Sequence, residues 1–423
     1  MDVIIKGGEI DGKAVPPPSK SYTHRAFISA SLSRSSRVEN PLISLDTLAT
    51  LKACRFIGAA FERNEGFRFR GVEEIKTSGY LNLMNSGTTI RIFTGLLSLS
   101  RSGRFSVLDG DPSLRKRPNL ELVLALKKLG ARIYGSSSYA PPIWVKGVVK
   151  GGEVEISAKS SQFISSLLFT LPLCDQDSEV RVKEVKSRPY IDITLDVLAA
   201  SGINVEEEGN TYFIDGGQEY RLGKYIIPSD FSSIGYILSA GIAGGSVRIY
   251  NAFPSKQGDQ VIVDIIREMG GEVRWDKERG IVEAEKSDLE GIEIDAENFP
   301  DLVPVLAALS AIAKGKTKIK RISHLRIKEI DRIEGIVRNL GSLGVKTEVV
   351  EEDNDLSLII WGGRDEFHGT VDSFGDHRMA LAFSILGLKS RGLMIRNAEV
   401  VSVSFPGYFE VMKRLGMNIE VRA

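Results

Sequence analysis

Six times along the chain an amphipathic helical pattern runs into a glycine, and a short β-rich stretch follows. The glycines are Gly58, Gly130, Gly202, Gly270, Gly344 and Gly416, spaced 72, 72, 68, 74 and 72 residues apart. A residue at such a place ends a helix in the left-handed conformation, which glycine adopts without steric cost. The patterns in front of the glycines are well phased. Ile262, Ile265, Ile266 and Met269 fall at i, i+3, i+4 and i+7, as do Ile333, Ile336, Val337 and Leu340, and Tyr408, Val411, Met412 and Leu415. A second helix–turn–strand signal precedes each, plainest at residues 240–249 and 311–319. Helix, glycine, strand is ordinary α/β grammar, but six evenly spaced copies are a repeat. Units of about 70 residues are too long for a common solenoid. The expected fold is therefore α/β, with two similar domains of three repeated units each and pseudo-threefold symmetry in both. A length of 423 residues agrees with two cores rather than one.

Composition narrows the function. Hydrophobic residues make up 42% of the chain, while Lys+Arg and Asp+Glu are equal at 55 each. A neutral chain lacks the basic face that sequence-independent nucleic-acid binding needs, so no nucleic-acid partner is expected. Any anion site must come from local clustering of cations. No apolar run reaches the length of a membrane span, and the N-terminus reads as a strand with no basic leader. No membrane partner and a cytoplasmic location are expected. Cys54 and Cys174 fit neither a metal spacing nor a disulfide framework, and read as reduced core residues. His24, His324, His368 and His377 lack metal-ligand spacing, and His368 reads as a surface residue. Neither metal nor cofactor is expected. Gly315-Lys316-Thr317 resembles the end of a P-loop, but Ser310 stands where the first glycine would be.

The first helix of each unit opens on a polar cluster. In order these are residues 19–25 (SKSYTHR), 85–91 (NSGTTIR), 160–162 (SSQ), 229–233 (SDFSS), 299–301 (FPD) and 375–378 (GDHR). Ser, Asp and Asn at a helix start are ordinary N-caps. Capping does not explain the added Lys, Arg, His and Gln. A helix N-terminus offers free N–H groups and a positive dipole end, which suits anions. Further cations sit ahead of other helices. Arg115-Lys116-Arg117-Pro118 precedes the helix 119–129, Ser187-Arg188-Pro189-Tyr190 precedes another, and residues 324–332 lead into the helix ending at Leu343. Lys328 and Arg332, four apart, are expected to share a helical face. The last stretch taken alone also reads as a solvated charged helix start. Together the clusters describe a site for more than one phosphate or carboxylate.

Six motifs in this order resemble the 5-enolpyruvylshikimate-3-phosphate (EPSP) synthase family: SKSYTHR (19–25), NSGTTIR (85–91), KRP (116–118), SSQF (160–163), RIKEIDR (326–332) and DHRMA (376–380). The resemblance runs from Pro17 to Phe409. It implies two domains of three α/β units with the active site in the cleft between them. The N-terminal domain would take residues 13–227, and the C-terminal domain 1–12 plus 228–423, with the first strand pairing in the latter. It implies a cofactor-free transferase that moves the enolpyruvyl group of phosphoenolpyruvate to the 5-hydroxyl of shikimate 3-phosphate, in aromatic amino-acid biosynthesis. Carried over by motif, shikimate 3-phosphate would be held by Lys20, Ser21, Arg25, Ser160, Ser161, Gln162, Ser187, Tyr190, Asp301, His324 and Lys328. Phosphoenolpyruvate would sit against Lys20, Asn85, Gly87, Arg117, Gln162, Arg332 and Arg378. A side chain at Gly87 would occupy the space the phosphate needs. Lys20 and Glu329 are the candidates for the methyl proton, Asp301 for the hydroxyl proton, and His377 for polarising the leaving phosphate.

The sequence departs from the family's usual pattern at four places. His324 stands where Asn is frequent, Arg188 where Lys is frequent, Ile92 where Pro often follows the motif's arginine, and Val403 where many members carry a phosphate-binding Lys. Two other readings compete. The sister transferase acting on a UDP-amino sugar usually has Asn where Ser21 stands and a reactive Cys in a mobile loop, and no Cys lies near residues 115–117. A non-catalytic phosphometabolite-binding protein would need the cations but not Glu329, Asp301 and His377 together. A monomer is expected, although no residue pattern speaks to oligomeric state.

Overall fold

All six repeat glycines take positive φ, from +73° at Gly344 to +110° at Gly58, as the left-handed helix ending requires. In the computed structural model, which describes residues 1–158 and 160–422, each repeat resolves into one four-stranded sheet and two helices. The second unit shows the plan. Strand Gly79–Asn82 pairs in parallel with Ser106–Asp109, which pairs antiparallel with Ile143–Gly147, and Ala131–Tyr134 closes the far edge. Helix Gly87–Leu97 connects the parallel pair, and helix Leu120–Lys128 ends at Gly130 before the hairpin. All six sheets share this strand order.

Three sheets borrow a strand from elsewhere in the sequence. Lys224–Ile226 pairs in parallel with Ser36–Glu39, and Lys13–Ala14 pairs in parallel with Ser246–Ile249. Asp2–Gly8 lies between Leu393–Arg396 and Met417–Arg422, where the sixth unit's last strand would otherwise be. The chain divides into two compact units, Pro18–Ile227 and Met1–Pro17 with Pro228–Ala423. Lys13 and Ala14, expected to start the N-terminal domain, are held in the other unit by their ladder to Ser246–Ile249.

The two helices of a repeat differ in burial. The inner helices are buried all round: Phe231–Gly244 is buried from Phe231 to Ala243. The outer ones bury one stripe, as Arg332–Ser342 does through Ile333, Ile336 and Leu340. At about 1.5–3 kcal/mol per fully buried large apolar side chain, the inner helices dominate each core, and each unit has its own. Inner helices Gly87–Leu97 and Ser161–Thr170 approach closely, and a Cβ on Gly95 would overlap the Thr170 hydroxyl. Cys54 and Cys174 are buried free thiols, and burial pushes both up to about 12. His368 is exposed beside Glu366.

Candidate active site

In the unit Pro18–Ile227 the inner helices begin on serine caps. Ser19 accepts from the Tyr22 N–H, Ser86 from that of Thr89 and Ser160 from that of Gln162. The side chains beside the caps carry the other chemistry. Lys20, first residue of its helix, places Nζ 3.1 Å from Asp46 Oδ2 in the first turn of helix Leu45–Phe56. Asn85 Nδ2 donates to Asp111 Oδ2 at 2.8 Å, and its Oδ1 accepts from Arg117 Nη2, which also donates to Ser113 Oγ at 3.2 Å. Gln162 Oε1 accepts from Arg91 Nη1, and Gln162 Nε2 donates to Thr88 Oγ1 at 3.0 Å. Arg91 Nε donates to Asn119 Oδ1 at 3.1 Å.

Gly87 joins these two networks. A Cβ there would stand 3.0 Å from Arg117 Nη1 and 3.6 Å from both Arg91 Nη1 and Gln162 Oε1. Two guanidinium heads and an amide thus converge on a helix N-terminus that has no side chain in the way. Charge, dipole and space there suit an anion.

Arg25 is placed differently. It is buried, and it donates to Thr194 Oγ1 (2.7 Å), Ser21 O (3.0 Å), Tyr190 O (2.9 Å) and Ser165 Oγ (3.3 Å). Most of its five donors are committed to the fold. Burial pulls its pKa down to about 10 against the opposing pull of Tyr190 and Tyr22. Ser161 and Ser187 are also buried. Ser187 takes φ +57°, and its carbonyl accepts the Tyr190 N–H that opens helix Pro189–Ala200.

In the other unit Arg332 is the hub. It is 1% exposed, and each nitrogen donates to a different carboxylate at 2.7 Å: Nε to Asp376, Nη1 to Asp301 and Nη2 to Glu329. Burial opposes its charge, but Asp376, Glu329 and Asp301 outweigh that and hold its pKa above the ordinary value. Arg378 Nη2 donates to the second oxygen of Asp301 at 2.6 Å, and Nη1 lies 3.4 Å from the Tyr236 hydroxyl. Asp301 therefore bridges both arginines. Burial pushes its carboxyl up, yet Arg378, Arg332 and Lys328 hold it well below the carboxylate range. Burial likewise lowers the Lys328 ammonium, more than Asp301 raises it.

Asp376 caps helix His377–Ser384 through the Arg378 N–H at 2.9 Å, and the same oxygen lies 3.7 Å from His377 Nδ1. His324 is buried in the 3-10 turn Ser323–Ile327.

One sequence expectation fails here. Lys328 and Arg332 do not share a helix, because Lys328 is extended (φ −81°, ψ −155°) and the helix begins at Arg332. The reason is Asp331, whose side chain accepts from the Glu334 N–H at 3.1 Å and so caps the helix there. Asp301 departs from the capping pattern in the other direction. Helix Val303–Ile312 has Leu302 at its cap position and no side-chain cap bond.

The structure brings Asn85, Gly87, Arg117 and Gln162 into one group, and Asp301, Glu329, Arg332 and Arg378 into another. Sequence reasoning left out Asp46, partner of Lys20, and assigned no ligand role to Arg91. Asp46 follows Ser44 in a capping box, so its local signal is that of any helix start. Asp376 belonged to a recognised motif, but nothing local announced its bond to Arg332, 44 residues away. Among the described residues no group of three or more His, Cys, Asp or Glu is arranged to hold a metal, and no helix is long and apolar enough to cross a membrane.

The fold of repeated βαβαββ units is that of solved enolpyruvyl transferases. The enolpyruvyl transferase NikO from Streptomyces tendae superposes with a TM-score of 0.79 over 99% of this chain and 98% of its own, at 17% identity, a likeness of fold alone. EPSP synthase from Acinetobacter baumannii superposes with a TM-score of 0.82 over the whole of both chains, at 28% identity. A protein of Archaeoglobus fulgidus named 3-phosphoshikimate 1-carboxyvinyltransferase is 61% identical over 420 residues, 99% of each chain. Its namesake from Methanothrix thermoacetophila is 42% identical over 425 residues, again 99% of each. The family's sequence model, EPSP synthase (3-phosphoshikimate 1-carboxyvinyltransferase), matches residues 4–412. The chain belongs to the EPSP synthase family.

Proposed function

We propose that this chain transfers the enolpyruvyl group of phosphoenolpyruvate to the 5-hydroxyl of shikimate 3-phosphate and releases inorganic phosphate. The observation that carries the reading is the pair of charge-assisted hydrogen bonds that Asp301 accepts, one from Arg332 and one from Arg378. It joins a candidate base to the cations proposed for phosphoenolpyruvate. While both arginines hold it, Asp301 is a poor proton acceptor. Arginines that turn to a phosphate and a carboxylate release that hold, and the proton affinity of Asp301 rises when the acceptor hydroxyl must be deprotonated. Binding and base activation are then one event.

The remaining roles follow. Arg117, Gln162, the Gly87 helix start, Arg332 and Arg378 take the anionic oxygens of phosphoenolpyruvate. Ser21, Arg25, Ser160, Ser161, Ser187, Tyr190, His324 and Lys328 position shikimate 3-phosphate. Arg25 does so mainly by tying its helix to Pro189–Ala200. Glu329 or Lys20 gives a proton to the vinyl methylene while the hydroxyl oxygen bonds to the adjacent carbon and its proton passes to Asp301. The tetrahedral adduct loses phosphate, polarised by His377, and the methyl proton returns to the group that gave it. The enzyme acts in the cytoplasm, as a monomer and without a cofactor.

The sister reaction on a UDP-amino sugar is disfavoured by Ser21 and by thiols that are buried and pushed up to about 12. Supplying phosphoenolpyruvate with either acceptor tests the reading. Phosphate release is expected with shikimate 3-phosphate, and release with the UDP-sugar alone overturns it.

A further inference from the structure

A carboxyl group with no part in the scheme above feels the charges of both Asp301 and Arg378. Asp259 sits in the turn Gly258–Val261 and is 5% exposed. The loop before it is pinned to the start of inner helix Phe231–Gly244: Gln257 Nε2 donates to Ser229 O at 2.8 Å, and Gln257 Oε1 accepts the Phe231 N–H at 3.1 Å. Ser232, in the first turn of that helix, donates its hydroxyl to Asp259 Oδ2. Tyr236 follows Ser232 by four residues, so the two share a helical face. The Tyr236 hydroxyl accepts from Arg378 Nη1 at 3.4 Å. One face of one helix therefore holds Asp259 on one turn and Arg378 on the next.

Charge bookkeeping makes Asp259 anomalous. Asp301, Glu329 and Asp376 each accept from Arg332, and Asp301 also from Arg378. Asp259 is a further buried carboxyl, and among the described residues it is in no such ion pair. A buried carboxylate without a cation is costly, and the usual outcome is that it keeps its proton.

We propose that Asp259 is a positioning residue for the anion-binding arginines of this unit: it carries a proton, and in that uncharged form it leaves Arg378 to an incoming phosphate or carboxylate instead of competing for it. Burial and the neighbouring Asp301 charge push the Asp259 carboxyl up to about 7. Arg378 and the Ser232 hydroxyl pull the other way, and Asp230, the helix cap, adds to the rise. Below that pH the group is neutral. Above it, a negative charge appears that acts on Arg378, and anion binding weakens. The identity of the anion rests on the reaction proposed above, and the role of Asp259 does not.

Sulfate is the probe, because its charge is constant across neutral pH. Calorimetry on the full chain should show sulfate affinity falling about tenfold between one pH unit below and one above the Asp259 midpoint, the order of effect of one charge appearing near another inside a protein. Asp259→Asn, the shape of the protonated acid, should bind sulfate at the higher pH as the parent does at the lower. Ser232→Ala removes a bond that stabilises the carboxylate and should move the midpoint upward. The infrared carbonyl band of a protonated carboxylic acid, present in the parent near neutrality, should vanish in Asp259→Asn. In turnover, the pH dependence of KM for phosphoenolpyruvate should differ between the parent and Asp259→Asn, while that for shikimate 3-phosphate, whose phosphate also titrates near neutrality, should be the same in both. Equal pH dependence of sulfate binding in the parent and Asp259→Asn, an unmoved midpoint in Ser232→Ala, or an unchanged infrared band overturns the proposal. Sulfate binding and the infrared band need no turnover, so they judge Asp259 separately from the choice of acceptor.

Discussion

Gly87→Ala adds one methyl group where the structure leaves no room to spare. Its Cβ would meet Arg117 Nη1 at 3.0 Å, closer than the roughly 3.5–4.0 Å of an unstrained non-bonded contact. Arg117 is held by Asn85 and Ser113, so moving it disturbs those bonds as well. The fold should tolerate the change, since alanine is favoured over glycine in a helix by up to about 1 kcal/mol. What is lost is aim. One charge-assisted hydrogen bond to the anion contributes about 1.5–3 kcal/mol, so its loss raises KM for phosphoenolpyruvate about 10- to 150-fold. Steady-state kinetics gives that number, and calorimetry gives the affinity for shikimate 3-phosphate, which should change by less than about threefold, the spread expected where no contact is lost. Equal weakening of both ligands would mean that Gly87 is only a structural glycine. An unchanged KM would mean that the subsite is not the one phosphoenolpyruvate uses.

Lys20→Met and Glu329→Gln should each lower kcat by on the order of 10²-fold or more with the fold intact by circular dichroism, as expected of proton-transfer groups. A Glu329→Gln enzyme with near-normal kcat rules that residue out. Asp301→Asn removes the acceptor shared by two buried arginines and should destabilise the fold by about 3–5 kcal/mol at neutral pH, read by urea unfolding. Because the folded-state pKa of Asp301 is depressed, its contribution is full above the ordinary carboxylate value and is lost as pH falls through the folded value. The gap between parent and variant should therefore narrow on acidification, and a gap that widens contradicts the sign. Phosphate release should proceed unchanged in chelator, and activity that is abolished by chelator and restored by a divalent ion refutes metal independence.

The repeat was legible because a helix ending on a left-handed glycine is a local event, and all six glycines behave alike. The exchange of strands was legible only through the family resemblance. Nothing within Lys13–Ala14 or Lys224–Ile226 says that each will pair with a strand some two hundred residues away. Polar clusters at helix starts located both groups of candidate residues, yet which member does the capping and which the chemistry depends on packing. Asp376 does both, capping with one oxygen and holding Arg332 with the other. Asp331 followed three residues later by Glu334 is a helix-start signature, and it places Lys328 outside the helix. Asp259 was not readable, because an Asp before an apolar helical run is ordinary. Its importance comes from Ser232 and Tyr236 sharing a face.

A single-turnover experiment, with enzyme in excess over the acceptor and the phosphorus species followed by rapid quench, tests the central claim most directly. Phosphoenolpyruvate and shikimate 3-phosphate should disappear together. A tetrahedral adduct carrying both phosphates should rise and decay, and one inorganic phosphate should appear for each enol ether formed. Omitting shikimate 3-phosphate should leave phosphoenolpyruvate intact. Phosphate released without that acceptor, or released only when a UDP-sugar takes its place, would contradict the account.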